Sequence, residues 1–415
     1  MAKVLVVGGG GREHAIVHAL SKSSKVTEIY AAPGNAGIAS LAMCVNIKDT
    51  EVDKIKEFAL AEKIDLVVIG PEASLALGIV DELENAGIKV FGPSKKAALM
   101  ESSKEYAKEI MAKYNIPTAK YQSFKEYDKA LSYVKNNTFP TVIKYDGLAA
   151  GKGVVIANDL AEADEALKDM LLNDKFGHGK VVIEEYLEGP EFSFMCFVNG
   201  NNVYPLEMAQ DHKRAYDNDM GPNTGGMGAY SPLPFITKED YEYALNNIMI
   251  PTAQGLVKEK NPFKGVLYGG LMKTKNGIKV IEFNARFGDP ETEVVLPRLT
   301  SDIYDAFNDV IDGKKPNLEW TNDYTIGIVL ASKGYPGSYE KGYKIENGFG
   351  PNIYHMGTKF NDNNELVTNG GRVLFAYAFG KSLEEANKKA NELVDEIKCE
   401  NLFHRTDIGA KAYKK

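Results

Sequence analysis

Short apolar runs and longer amphipathic stretches alternate through the first hundred residues. Val4-Leu5-Val6-Val7 reads as a short buried strand, and the stretch after it carries Ala15, Ile16, Ala19 and Leu20 on one side at helical spacing. Glu28-Ile29-Tyr30-Ala31, Leu66-Val67-Val68-Ile69 and Lys89-Val90-Phe91 are further strands, with helical stretches between them. This alternation predicts a parallel sheet with right-handed crossovers. Gly92-Pro93-Ser94 marks a boundary before a helical run from Lys95 to Tyr114.

The middle loses that regularity. Strands Thr141-Val142-Ile143-Lys144, Val154-Val155-Ile156 and Val181-Val182-Ile183-Glu184, with one charged helix near 159–172, predict a compact α+β unit. From 196 to about 320 come a turn-rich segment, a helix near 238–259, a glycine-flanked strand at 266–274 and a strand at 278–284 after the Asn276-Gly277 turn. The last ninety residues mix strands Gly327–Leu330 and Arg372–Phe375 with an amphipathic helix around 382–398. There is no internal repeat, coiled coil or low-complexity segment.

Composition narrows the classes. A chain of 415 residues can bury more than one core, and 44% hydrophobic with 26% charged residues is ordinary for a globular protein. A net charge of −8 argues against a broad nucleic-acid or anionic-membrane surface, while leaving room for a local phosphate pocket. Cys44, Cys196 and Cys399 lie far apart without metal or redox spacing, which fits a reducing cytosol. The chain starts almost directly on a strand and lacks a run of eighteen apolar residues, so we expect neither a signal peptide nor a membrane span.

Candidate chemistry concentrates at Ile281-Glu282-Phe283-Asn284-Ala285-Arg286. On a strand Glu282 and Asn284 share a face, and their oxygens suit Mg²⁺; Arg286 would extend that face as a forked cation. The same alternation also describes a strand with a solvated polar side.

Three glycine-rich stretches bear on the choice. Val7-Gly8-Gly9-Gly10-Gly11-Arg12-Glu13-His14 joins a strand to a helix, but Glu13 or His14 stands where a dinucleotide fold needs a small residue. No acid follows the second strand either. An anion site for a small phosphorylated substrate fits better than NAD, and a purely structural turn is the alternative. Lys144-Tyr145-Asp146-Gly147-Leu148-Ala149-Ala150-Gly151-Lys152-Gly153 fails as a P-loop: its glycine spacing is short, and a strand rather than a helix follows. It predicts a flexible hairpin over a triphosphate, or an ordinary hairpin. Gln210-Asp211-His212-Lys213-Arg214, leading to Gly221-Pro222-Asn223-Thr224-Gly225-Gly226-Met227-Gly228-Ala229-Tyr230, suits a lid or substrate loop. His212 is given no proton-transfer role.

Taken in order with Ala32-Pro33-Gly34-Asn35-Ala36-Gly37, Val68-Ile69-Gly70-Pro71-Glu72 and Arg286-Phe287-Gly288-Asp289-Pro290-Glu291, these motifs resemble the phosphoribosylamine–glycine ligase (glycinamide ribonucleotide synthetase) family of the ATP-grasp superfamily. The resemblance implies a multidomain α/β and α+β chain: an N-terminal Rossmann-like domain (1–102), two ATP-grasp lobes (103–193 and 194–323) and a C-terminal α+β domain (324–415). It implies ATP held by Lys104, Lys144, Gly151, Lys152, Gly153, the hinge Glu184-Glu185-Tyr186-Leu187 and the ribose acid Glu191, with Mg²⁺ or Mn²⁺ on Glu282 and Asn284. Lys144 and Arg286 would be catalytic. Phosphoribosylamine and glycine would be held among Gly10, Gly11, Arg12, Glu13, Asn35, Gly70, Pro71, Glu72, Asp211, Lys213, Arg214, Arg286, Asp289, Pro290 and Glu291. The implied reaction joins glycine to 5-phosphoribosylamine through glycyl phosphate, by a cytoplasmic and standalone enzyme, monomeric or weakly dimeric, without nucleic-acid or membrane partners. Tyr145 departs from the family pattern, which has a small residue after the lysine, and Tyr268-Gly269-Gly270-Leu271-Met272 lacks the second metal-binding acid of many relatives. Other readings are an ATP-grasp ligase with another acceptor, a nucleotide sensor without catalysis, and a nicotinamide oxidoreductase.

Overall fold

The computed structural model describes residues 1–148, 153–173, 175–177 and 179–413. The first hundred residues form a five-stranded, all-parallel sheet in which Ala2–Gly8 is central, flanked by Val26–Pro33 and Leu66–Ile69, with Met43–Cys44 and Val90–Phe91 at the edges. The predicted strands are all present. The run from Lys95 to Tyr114 is not one helix: Ser103 adopts an extended backbone (φ −132°, ψ 112°) and caps a new helix, Lys104–Lys113, by accepting from Tyr106 N. A serine hydroxyl competes for backbone donors, so it starts a helix better than it continues one.

A small antiparallel sheet of Tyr121–Phe124, Val181–Glu185, Thr141–Tyr145 and Val154–Ala157 follows. It has its own core under two helices, centred on Ile143, Ile183, Ala163 and Leu167. Tyr145 belongs to this core. Its ring packs 5.4 Å from Phe176 and its hydroxyl donates to Gly177 O. The departure from the family pattern therefore fills the lobe interior and does not face the cleft.

A second antiparallel sheet runs Asn202–Pro205, Glu191–Asn199, Lys264–Thr274, Gly277–Asn284. The end of the Glu191–Asn199 strand and its hairpin partner Asn202–Pro205 lie in the segment from 196 onward, where the sequence pattern predicts mainly turns. The helix near 238–259 is present as Lys238–Ala244 and Ile250–Lys258, joined by a π-helical turn. The C-terminal sheet centres on Tyr324–Ser332 and Arg372–Gly380, with Leu383–Glu396 packed on it. It also recruits Gln210–Asp211 and Gly228–Ser231 from the middle of the chain. The expected lid at 219–230 is thus largely built into sheet structure: Met220–Asn223 pairs with Arg214–Tyr216, and Gly228–Ser231 pairs with Tyr324–Ser332.

Candidate active site

The glycine-rich turn after the first strand is shaped around Glu13. Gly8 sits at φ +123°, a conformation that favours glycine. A Cβ on Gly8 would lie 2.5 Å from Glu13 Cγ, and one on Gly70 only 2.0 Å from Glu13 Oε1. The close helix–strand approach that a dinucleotide fold secures with a glycine on the helix is made here by glycines on the strand side. Glu13 accepts from Gly10 N at 2.7 Å and from Arg12 Nε at 2.6 Å, and Arg12 Nη1 donates to Phe287 O. Arg12 and Glu13 therefore brace the turn. Asn35 does likewise, donating to Gly9 O and His355 O while its Oδ1 accepts from Gly37 N and Ile38 N.

Above this turn lies a cavity of about 350 Å³, lined by Gly9, Gly10, Gly11 and Asn35 on one side and by Asp289, Thr358, Gly370 and Arg372 on the other. The free amides of the Gly11–Ser21 helix make this end attractive to anions. Arg372 adds a cation there, 3.0 Å from Asp289.

A second cluster occupies the cleft between the small lobe and the Glu191–Asn284 sheet. Lys144 Nζ lies 3.0 Å from Glu184 Oε1 and donates across the cleft to Ile281 O at 3.0 Å. Glu184 Oε2 faces Lys108 at 3.1 Å, and Lys108 also donates to Thr118. Burial lowers Lys108 to about 8, with Glu184 opposing the shift. Asp146 accepts from Lys104 N at 2.6 Å, and Lys104 Nζ donates to Gly147 O at 2.9 Å, docking the stem of the glycine-rich hairpin on the start of the Lys104–Lys113 helix. Gly151 and Lys152 lie outside the described residues. At the hinge, Glu185 pairs with Lys279 at 3.1 Å, Tyr186 is exposed and Leu187 is half-buried.

The strand with the candidate metal ligands is not regular. Gly270 opposes Glu282 while Leu271 opposes Val280, so Ile281 is an extra residue in a bulge. The bulge lets Ile278, Val280 and Phe283 all enter the core, which strict alternation could not do, and leaves Glu282 and Asn284 together facing the cleft. Burial works against charge on Glu282. Lys213, Lys144 and Lys104 outweigh it and hold the carboxyl below its ordinary range. No group of three or more His, Cys, Asp or Glu side chains suited to a metal occurs among the described residues. A carboxylate plus an amide oxygen beside ammonium groups suits a cation that takes its other ligands from phosphate and water, as Mg²⁺ does.

The strand ends at Asn284, so Arg286 does not continue the face. It turns toward the N-terminal domain, where Nη2 lies 2.8 Å from Glu101 Oε1 and Nε 3.5 Å from Glu72 Oε2. Burial raises the Glu72 pKa, but Arg286 and Arg12 outweigh it and bring Glu72 down to about 2. Pro71 precedes the short Glu72–Leu77 helix. On the opposite wall Lys213 lies 2.8 Å from Asp211 and 3.9 Å from Glu191, and Glu291 accepts from Tyr268 and Ser193. Burial and the nearby Asp211 and Glu282 charges push Glu191 up to about 7, against the pull of Lys213. Pro290 packs beneath Gly226. Arg214 stands apart: it is exposed on a hairpin and donates to Gly221 O.

Sequence reasoning misses Glu101, Lys108, Ser193, Tyr268, Glu293 and Arg372. Lys108 had a signal, since it lies one helical turn after Lys104. Arg372 had none, because only the tertiary fold brings it to the glycine turn.

Two lobes with facing lysines and an oxygen-ligand pair between them are the arrangement of an ATP-grasp protein. A family model described as phosphoribosylglycinamide synthetase, ATP-grasp (A) domain, matches residues 102–292, and the N and C domain models of the same synthetase match 2–101 and 325–411. The phosphoribosylamine–glycine ligase of Halalkalibacterium halodurans is 52% identical, covering 99% of this chain and 97% of its own. That of Caldanaerobacter subterraneus subsp. tengcongensis is 50% identical over 98% and 99%. The crystal structure of phosphoribosylamine–glycine ligase from Thermotoga maritima superposes with a TM-score of 0.88 at 36% identity, covering 98% of this chain and all of that one. The chain belongs to the phosphoribosylglycinamide synthetase family.

Proposed function

We propose that the protein is an ATP-dependent ligase that joins glycine to 5-phosphoribosylamine, giving phosphoribosylglycinamide, ADP and phosphate in purine biosynthesis. Full-length identity of about one half to relatives of that name supports the substrates. The observation that carries the chemistry is Glu282 and Asn284 side by side next to Ile281, whose carbonyl accepts from Lys144 across the cleft, with the charges of Lys213, Lys144 and Lys104 acting on Glu282.

A carboxylate oxygen is a poor leaving group, so glycine must first be activated. Transfer of the γ-phosphoryl of ATP gives glycyl phosphate; attack by the amine of phosphoribosylamine forms the amide and expels phosphate. Phosphoryl transfer asks the protein for positioning and charge neutralisation. Lys104 and Lys144 reach the phosphates, Glu184–Leu187 passes the adenine edge and Glu191 holds the ribose. Glu282 and Asn284 would hold Mg²⁺, which when bound neutralises charge developing on the phosphates. Arg286, fixed by Glu101 and Glu72, presents its remaining donors to the glycine carboxylate or acyl phosphate. The cavity between Gly9–Gly11 and Arg372 takes the phosphoribosyl phosphate, and Asp211 and Lys213 border the co-substrates. Arg12, Glu13 and Asn35 act there by bracing the turn. We place the working enzyme in the cytoplasm, as a monomer with Mg²⁺ the usual ion, with the domain limits given above.

Phosphate release from ATP in the presence of glycine and freshly made phosphoribosylamine tests the reaction. Equal release with another acceptor in place of the ribosylamine would assign the enzyme a different substrate.

A further inference from the structure

The segment that carries Asp211 and Lys213 is held from behind by the end of the chain. Lys213 reaches Asp211 and Glu191 in the cleft, whereas the intervening His212 is buried on the other side. Its Nε2 accepts from Gly409 N at 3.1 Å, so the ring is neutral with its proton on Nδ1. Burial and the charge of Arg405 keep it so, lowering its pKa to about 4. Arg405 is fully buried and uses its whole fork: Nη1 donates to Arg214 O at 3.0 Å, Nη2 reaches Asp219 at 3.1 Å and Asp407 at 2.9 Å, and Nε reaches Asp407 at 2.8 Å. Asp407 accepts from Asn218 N, and Asp217 accepts from both the amide and the hydroxyl of Thr406. Segment 405–409 thus grips 212–219 through six side chains and several backbone groups.

We propose that Arg405–Gly409 is a positioning element for Asp211 and Lys213, with His212 and Arg405 as its fixing points, so that the C-terminal end of the chain tunes co-substrate affinity. The inference rests on the reading of Asp211 and Lys213 as co-substrate residues. A displacement of about 1 Å at such a site can cost on the order of 100-fold in rate, so a grip of this kind has kinetic consequences.

The test compares His212→Leu, His212→Gln, Arg405→Lys and Lys213→Met in the full chain, by steady-state kinetics and thermal unfolding. Glutamine can still accept from Gly409; leucine cannot. We expect His212→Leu and Arg405→Lys to raise the KM for glycine or phosphoribosylamine about tenfold while the KM for ATP moves less than about twofold, and His212→Gln to restore most of the loss. A fall in kcat or melting temperature with all KM values unchanged, an equal rise in the KM for ATP, or equal losses for leucine and glutamine overturns the proposal. Lys213→Met tests the reading beneath it. If that variant leaves the co-substrate KM values unchanged, the assignment of the site fails and the proposal with it. If it raises them while His212→Leu does not, only the positioning role is lost.

Discussion

Glu282 and Asn284 stand side by side at the end of one strand, Asn284 Nδ2 donating to Glu282 Oε1 at 3.4 Å, because a one-residue bulge at Ile281 lets the core take Val280 and Phe283 and frees both polar groups for the cleft. Glu282 lies under the influence of Lys213, Lys144 and Lys104, so its charge is held even without a cation. Replacing Glu282 by glutamine keeps the shape and removes the anion. We expect Glu282→Gln to fold normally and to lose activity about 10²–10³-fold, or ~3–4 kcal/mol of transition-state stabilisation. The check is a Mg²⁺ titration of turnover; activity within tenfold of wild type at saturating Mg²⁺ removes Glu282 from the metal site.

Arg286 is held between Glu101 and Glu72, with Nη1 donating to Phe287 O. Lysine keeps the charge but cannot span both acids. Arg286→Lys should cost about 10²-fold in kcat/KM for glycine and little in ATP affinity, read by nucleotide titration beside steady-state rates. Equal losses in both place Arg286 at the nucleotide.

Much of this was legible beforehand. The parallel sheet, the small lobe and the strand that carries Glu282 and Asn284 all follow from runs whose local pattern and tertiary place agree. The residues that escaped depend on long-range packing. Strict alternation puts Val280 with Glu282, and only the observed register shows the bulge that separates them. The glycine turn departs from the dinucleotide pattern at Glu13 for a reason that lies far along the chain: Gly70, nearly sixty residues away, opens the space that Glu13 fills. Glycine marks permissive backbone in strands and loops alike, so the pattern at 221–230 does not announce the strands Met220–Asn223 and Gly228–Ser231, and Arg405 lies too far along the chain to signal that it pins the neighbouring hairpin.

Acid should weaken the contact between the N- and C-terminal domains. His14 Nδ1 accepts from His355 N at 2.8 Å, and burial, with His355 and His18 nearby, lowers His14 from 6.5 to about 3. The folded state therefore binds this proton later than the unfolded state, and the associated stability is present above pH 6.5 and lost as pH falls toward 3. Glutamine can accept the same bond without titrating. Urea unfolding of His14→Gln should show a pH slope shallower by up to about 1.4 kcal/mol per pH unit between pH 6 and 4; an unchanged slope contradicts this.

Glu293 gives the opposite sign. It is fully buried, neither carboxyl oxygen has a hydrogen-bond partner among the described residues, and burial together with Asp289 pushes its pKa well up. The unfolded state then loses this proton first, so stability declines as pH rises above the ordinary carboxyl value of 4.5. Glu293→Gln should melt several degrees higher than wild type at pH 8 and about equally at pH 4, measured by calorimetry. A constant difference across that range excludes titration of Glu293 as the cause.

The most direct test of the whole account is ATP consumption by the purified protein with glycine and freshly generated phosphoribosylamine, omitting each in turn. The account predicts stoichiometric ADP, phosphate and phosphoribosylglycinamide only when both are present with Mg²⁺. Turnover that is indifferent to phosphoribosylamine, or amide formation that yields AMP in place of ADP, would contradict it.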